Sequence, residues 1–196
     1  TDLTGISLLF PPQDDVTEWR FITEGWIPEE NMKERIKRDH VPYNKWINQK
    51  FIYATAGNVA DYEYIENRIK TLALQYDVVT ICCDPWNSRM LTQNLMKDDF
   101  DIVEIQQNMK MLSPSMKYLE ILMKQGKMTH LNNAAERWCF GNVVVVADGN
   151  GNIKPMKNKC KEKIDLFMSI VIALAYAMNQ EEDICYDGRE EGEKIF

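Results

Sequence analysis

The 196-residue chain is short of several things, and each absence excludes a class of protein. Only nine glycines and seven prolines occur, with no period, which removes collagen-like, mucin-like and low-complexity chains. No apolar stretch reaches the ~18 residues of a membrane span, and no charged leader followed by a short apolar segment opens the sequence. The expectation is a protein that is neither secreted nor embedded in a membrane. The five cysteines, Cys82, Cys83, Cys139, Cys160 and Cys185, show no paired spacing that suggests a disulfide framework or a zinc site, so a reducing, cytoplasmic compartment fits best. A GxxxxGK[ST] phosphate loop is missing, which disfavours an ATPase. The two histidines, His40 and His130, lie in polar surroundings, far from any Gly-x-Ser-x-Gly elbow or HExxH pair, so a serine hydrolase or zinc protease has no support. Basic residues are outnumbered 23 to 30, giving a net charge of -7, so nucleic-acid binding has to be argued locally.

What is present is an ordinary globular composition, with 45% apolar, 27% charged and 10% aromatic residues. The length suits one domain over residues 1–196, with neither an internal repeat nor a dividing linker. Part of the acidic excess sits in a tail over residues 181–196, where Glu181, Glu182, Asp183, Asp187, Glu190, Glu191 and Glu193 follow the last convincing helix.

Gly5 to Phe10 and Glu18 to Ile27 read as two strands of a hairpin within residues 1–27, separated by Pro11, Pro12, Asp14 and Asp15. Pro28 then precedes a polar helix from Met32 to His40, and a second helix spans Asn44 to Gln49. A short strand is expected at Phe51 to Thr55, and Asp61 caps a helix with Ile65, Ile69, Leu72 and Leu74 at helical spacing. Val78 to Cys83 is continuously apolar and β-branched, the signature of a strand covered on both faces. A helix at Met90 to Met96, a strand at Asp101 to Ile105 and a helix capped by Ser113-Pro114 follow. Val143 to Ala147 leads into the turn Asp148 to Gly151, and from Ile164 the residues Phe167, Met168, Val171, Leu174, Ala175 and Met178 mark one helix face. The alternation of strands and helices predicts an α/β domain with a mixed sheet.

Two acids stand out. Asp84 ends the buried strand, where ligands of open α/β sheets bind, although it can equally make an Asx turn or cap the next helix. Asp165 opens the most apolar helix, although an ion pair with Lys161 on a solvated face explains it as well. The basic strip Lys154, Lys157, Lys159, Lys161 and Lys163 runs up to Asp165 and could neutralise phosphates, unless it is only a solvated loop. Converging carboxylates repel one another unless a divalent cation such as Mg²⁺ or Mn²⁺ lies between them, and phosphodiester cleavage is the chemistry such clusters most often perform. Asp61, Asp148 and Glu104 are further possible ligands and more simply caps, turns or surface residues. Cys82 and Cys83 face opposite sides of one strand as core residues, and the tryptophans at 19, 26, 46, 86 and 138 are too scattered for a base-stacking platform.

Together these residues resemble the C-terminal nuclease domain of tailed-phage terminase large subunits, which has a ribonuclease H-like mixed sheet flanked by helices. The resemblance covers nearly the whole chain. It rests on Thr1-Asp2-Leu3-Thr4 before a strand ending Phe10-Pro11-Pro12, on Trp26-Ile27-Pro28-Glu29, and on Trp46-Ile47 leading to Thr55-Ala56-Gly57-Asn58-Val59 and Asp61-Tyr62. It continues with Asp84-Pro85, Arg137-Trp138 before Asn142-Val143, and Lys163-Ile164-Asp165 opening the helix through Ala173-Leu174-Ala175. The resemblance implies two-metal cleavage of double-stranded DNA during viral genome packaging, with Asp84 and Asp165 as catalytic metal ligands and Mg²⁺ or Mn²⁺ as the ions. It also implies Lys157, Lys161 and Lys163 near the DNA backbone. The family's first catalytic acid lies in a Gly-x-Asp-Leu-Ser pattern a few residues before the position of Thr1. Either that strand falls outside this sequence or Asp2 replaces it, and Asp2 ranks last of the three ligands.

An upstream ATPase domain, a small terminase subunit and a portal protein are the implied partners besides DNA, in the host cytoplasm. Weak intrinsic DNA affinity would suit a nuclease tethered by its motor. A non-catalytic docking domain on the same scaffold is the alternative from another class, and a resolvase- or transposase-type nuclease the alternative among enzymes.

Overall fold

A computed structural model describes residues 3–86, 89–156, 159–160 and 162–187, with side chains described as far as residue 180. Its mixed α/β architecture is the class the alternating pattern predicts. Strand β1 (Thr4–Phe10) pairs antiparallel with β2 (Trp19–Pro28), in a register that sets Gly5 opposite Gly25 and Phe10 opposite Arg20. Two helices, α1 (Met32–Asp39) and α2 (Tyr43–Asn48), lead to β3 (Ile52–Thr55), which lies parallel to the Gly25–Pro28 end of β2.

Helix α3 (Tyr62–Ala73) begins where expected, because the Asp61 side chain accepts a hydrogen bond from Tyr64 N at 3.1 Å. Ile65, Ile69 and Leu72 are buried, but Leu74 is exposed, since the helix ends one residue earlier. Strand β4 (Ile81–Cys83) is shorter than its apolar run predicts. It pairs with β5 (Ile102–Glu104) in parallel and both its faces are packed, Ile81 against Ile65, Ile69 and Leu95 and Cys82 against Ile172 and Ala175, although its residues stay half-buried and Val79 before it is exposed. The burial stays incomplete because β4 has only one paired edge among the described residues. Between the two strands lies α4 (Arg89–Lys97).

Helix α5 (Met109–Lys124) starts before Ser113-Pro114, which lie inside it. The Asn108 side chain is the cap, accepting from Met111 N at 3.0 Å. Pro114 removes one backbone donor near the helix start, and burial of Leu112, Met116, Leu119 and Leu122 outweighs that loss. Two elements the sequence did not announce follow, β6 (Met128–His130) and α6 (Ala134–Gly141). Strand β6 takes the Trp19–Phe21 end of β2, so β6 and β3 share one edge of that strand. The Asn133 amide bridges the interval, donating to Thr23 O at 3.3 Å and Phe51 O at 3.2 Å.

A hairpin of β7 (Val145–Ala147) and β8 (Ile153–Pro155) turns at Asp148, whose carboxylate accepts from Asn150 N and Asn152 N. Helix α7 (Asp165–Asp187) runs further than expected, through the first acids of the predicted tail. Its buried residues include Leu166, Phe167, Met168, Ile170, Val171, Ile172, Leu174 and Ala175, which occupy most of its circumference rather than one face. That burial follows from its place, since it packs against β1, β2, β4, α5 and α6.

Candidate active site

Parallel pairing of β4 with β5 brings two chain segments out side by side at their carboxyl ends. Cys83 pairs with Glu104, Ile105 N donates to Cys83 O at 2.8 Å, and Asp84 therefore emerges beside Gln106, Gln107 and Asn108. The Asp84 carboxylate closes an Asx turn by accepting from Trp86 N at 3.2 Å, and its other oxygen accepts a short hydrogen bond from the Gln107 amide. Gln107 is itself placed by the helix that follows, because Asn108 caps α5 while its amide donates to Gln106 at 3.2 Å.

Asp165 is the first residue of α7, where a carboxylate suits the positive end of the helix dipole. Just before it, Lys163 O accepts from the Asn142 amide at 3.0 Å, which ties the entry to α7 onto the end of α6. Burial, with the Asp165 charge adding to it, pushes the Cys139 thiol up to about 12, so Asp165 stands near that buried group.

Helix α7 runs antiparallel to β4. Tyr176 OH lies 3.0 Å from Thr80 Oγ1 just before β4, and Ile172 and Ala175 form one cluster with Cys82, Val103 and Ile105. Following α7 back toward its start therefore follows β4 toward its carboxyl end, which brings Asp165 and Asp84 to the same end of the molecule. Gln107 and Met168, one turn into α7, line a shared cleft of about 450 Å³ with Lys154.

Lys163 lies half-buried and close to Asp39. Burial would raise the Asp39 carboxyl, but hydrogen bonds from Arg38 and Tyr43 and the nearby charges of Arg38 and Lys163 hold it below the usual carboxylate range. Asp2, Lys157 and Lys161 fall outside the described residues. Among the described residues no three His, Cys, Asp or Glu side chains form a group able to hold a metal ion. Of the other acids, Asp61 serves as a helix cap and Asp148 as a turn, while Glu104 is exposed at the end of β5. Cys82 is pushed up to about 12 by burial, consistent with a packing role.

Gln107 is the residue of this site whose place the sequence alone did not reveal, whereas Lys154 belongs to the basic strip that the sequence singles out. A glutamine carries no signal of its own, and only the fold shows that its amide meets Asp84. A second polar cluster, also unforeseen, lies where α6 meets β2 and β6. Glu136, 2% exposed, accepts from Thr23 Oγ1 at 2.7 Å and meets His130 Nδ1 at 2.6 Å, and the imidazole stacks on Phe21 with ring centres 5.4 Å apart. His130 is thus not simply in polar surroundings.

Residues 1–181 match the family described as terminase large subunit, endonuclease domain. The chain is 27% identical over 178 residues to "Terminase, large subunit" of Enterobacteria phage HK97, covering 90% of this chain and 35% of that protein. It is 29% identical over 164 residues to "Protein YmfN" of Escherichia coli strain K12, covering 81% of this chain and 36% of that protein. The crystal structure of the HK97 bacteriophage large terminase superposes with a TM-score of 0.80 at 26% identity, over 89% of this chain and 36% of that one. The chain thus spans about a third of the length of the curated relatives it matches. No helix among the described residues is long and apolar enough to cross a membrane. With the match running over most of its length, the chain belongs to the endonuclease-domain family of terminase large subunits.

Proposed function

We propose that the chain is a divalent-metal-dependent endonuclease that cuts double-stranded DNA during phage genome packaging, with Asp84 and Asp165 as its catalytic metal ligands. The observation that carries this reading is the antiparallel run of α7 along β4, which sets the two acids at one end of the fold. Carboxylate oxygens are the donors that Mg²⁺ and Mn²⁺ take, so the two side chains fit such ions in kind. Two such ions, when bound, supply an activated water and stabilise the departing 3′ oxygen. The chain's own residues orient the site: Gln107 fixes the Asp84 carboxylate through one oxygen, the Trp86 amide fixes it through the other, and Lys154 brings a positive charge into the adjoining cleft.

Two carboxylates are an incomplete set, and the sheet supports a place for a third. Among the described residues β1 pairs only with β2, and β4 only with β5, while α7 packs on both β1 and β4. A strand lying between β1 and β4 would join the two sheets and bring an acid to the same end. We assign that place to the Gly-x-Asp-Leu-Ser strand of the family, with Asp2 as the substitute should that strand be absent. Lys157, Lys161 and Lys163 are the proposed phosphate contacts. DNA, a packaging ATPase domain, a small subunit and a portal are the proposed partners, in the cytoplasm of an infected cell.

Supercoiled plasmid with Mn²⁺ tests this reading, using the chain alone and with the family's first strand joined ahead of Thr1. Nicking lost in EDTA and in both Asp84→Ala and Asp165→Ala is the expected result. Nicking that survives in both variants contradicts it, and no cleavage by either form favours a docking domain.

A further inference from the structure

We propose that the cleft between the Asp84 turn and the start of α5 is a nucleotide subsite, seating one unstacked nucleoside of the cleaved strand against the Trp86 indole with its neighbouring phosphate on Arg89. The proposal rests on the endonuclease reading above. The cleft measures about 770 Å³ and is lined by Pro85, Trp86, Arg89, Gln106, Gln107 and Asn108. Three observations carry the assignment.

The first is the exposure of Trp86. Trp19, Trp26 and Trp46 are 2%, 0% and 7% exposed and build the core, whereas Trp86 is 80% exposed. An indole left in water at the mouth of a cleft is suited to a flat partner, and a base is such a partner, since each presents a π face. The second is charge. Among the described residues the lining holds one cation, Arg89, three carboxamides and no acid, in a protein whose net charge is -7. A cation set among neutral amides accepts a phosphate where the surface as a whole does not. The third is continuity with Asp84. The Trp86 amide and the Gln107 side chain both bond the Asp84 carboxylate, and both residues line the cleft, so a nucleotide bound there adjoins the cutting point.

Stacking on Trp86 requires a base that has left the duplex stack. The subsite therefore favours a strand that is frayed, gapped or opened over an intact duplex. Trp86 and Arg89 are substrate-binding residues in this account.

The test reads Trp86 directly. In EDTA, iodide quenching of tryptophan emission is measured with and without a 12-nucleotide single strand, while a dye on the oligonucleotide reports its binding by anisotropy. The expected result is a quenchable fraction that falls as the strand binds, is lost in Trp86→Phe, and is less protected by a blunt hairpin duplex. Trp86→Ala is expected to weaken single-strand binding by about 5- to 100-fold, and Arg89→Ala to lower the slope of log affinity against log salt by about 0.7. If the strand binds while Trp86 stays equally quenchable, or Trp86→Ala keeps full affinity, the subsite is wrong. Plasmid nicking by the unaltered chain, lost in Asp84→Ala, would then leave the nuclease reading standing. If neither the chain alone nor the form with the family's first strand binds the oligonucleotide or nicks plasmid, both readings are overturned.

Discussion

Gly5 and Asp165 meet backbone to backbone: a Cβ on Gly5 would stand 3.2 Å from both the carbonyl carbon and the carbonyl oxygen of Asp165. Gly25 lies opposite Gly5 in the strand register, and Leu166 Cδ2 would be 2.8 Å from a Cβ on Gly5 and 3.4 Å from one on Gly25. Two facing glycines thus leave a notch in the β1–β2 ribbon that receives the first turn of α7. The position of a proposed metal ligand is set by the absence of two side chains.

Gly5→Ala is expected to push the start of α7 outward, because Leu166 can rotate but the Asp165 backbone cannot. The cost is about 1–3 kcal/mol, read as a lower urea midpoint, and Gly5→Val costs more. Cleavage is expected to fall further than the unfolded fraction explains.

The fold was legible where local chemistry decides it. Alternating strands around Pro11 and Pro12 gave the hairpin, and the Asp61 carboxylate marked the start of α3. It was not legible where tertiary pairing decides. Met128 to His130 is too short and polar to announce a strand, and it becomes β6 only because one end of β2 is open to it. Ser113-Pro114 suggested a helix start, but Asn108 caps five residues before Ser113 and packing holds the helix through the proline. Asp84 and Asp165 could be read from a strand end and a helix start, whereas Gln107 and Trp86 acquire meaning only from what stands next to them.

Removing the Gln107 amide takes one side-chain hydrogen bond from the Asp84 carboxylate and leaves that from the Trp86 N–H in place. Gln107→Ala is expected to lower cleavage by about 10- to 100-fold, the usual effect of losing a group that orients a metal ligand, with an unchanged urea midpoint. A loss of stability equal to the loss of rate would contradict the orienting role.

Glu24 on β2 is buried and held by Arg68 of α3, whose Nε donates to Glu24 Oε2 at 2.8 Å. That bond, partly offset by burial, raises the guanidinium above its ordinary value. Arg68→Ala strands a buried carboxylate and is expected to cost about 3–5 kcal/mol, while Arg68→Met combined with Glu24→Leu recovers most of it. Denaturant titration of the single and double variants checks both.

Burial raises the Glu136 carboxyl above 4.5, although Thr23 and His130 bond to it. A raised acid binds its proton more tightly when folded, so its contribution is full below pH 4.5 and is lost as pH climbs through the raised value. Glu136→Gln is expected to flatten that part of the stability profile while keeping the acceptor for Thr23. Urea midpoints of both proteins between pH 4 and 7 should therefore converge at the acid end and separate toward neutrality.

The central claim is that Asp84 and Asp165 together hold the catalytic metal. Anomalous diffraction from crystals soaked in Mn²⁺ with a short DNA duplex tests it most directly. The account predicts a peak bonded to oxygens of both carboxylates, beside Gln107 and absent from Asp165→Ala crystals. A fully occupied manganese peak elsewhere on the protein, with both carboxylates turned away from it, would contradict the account.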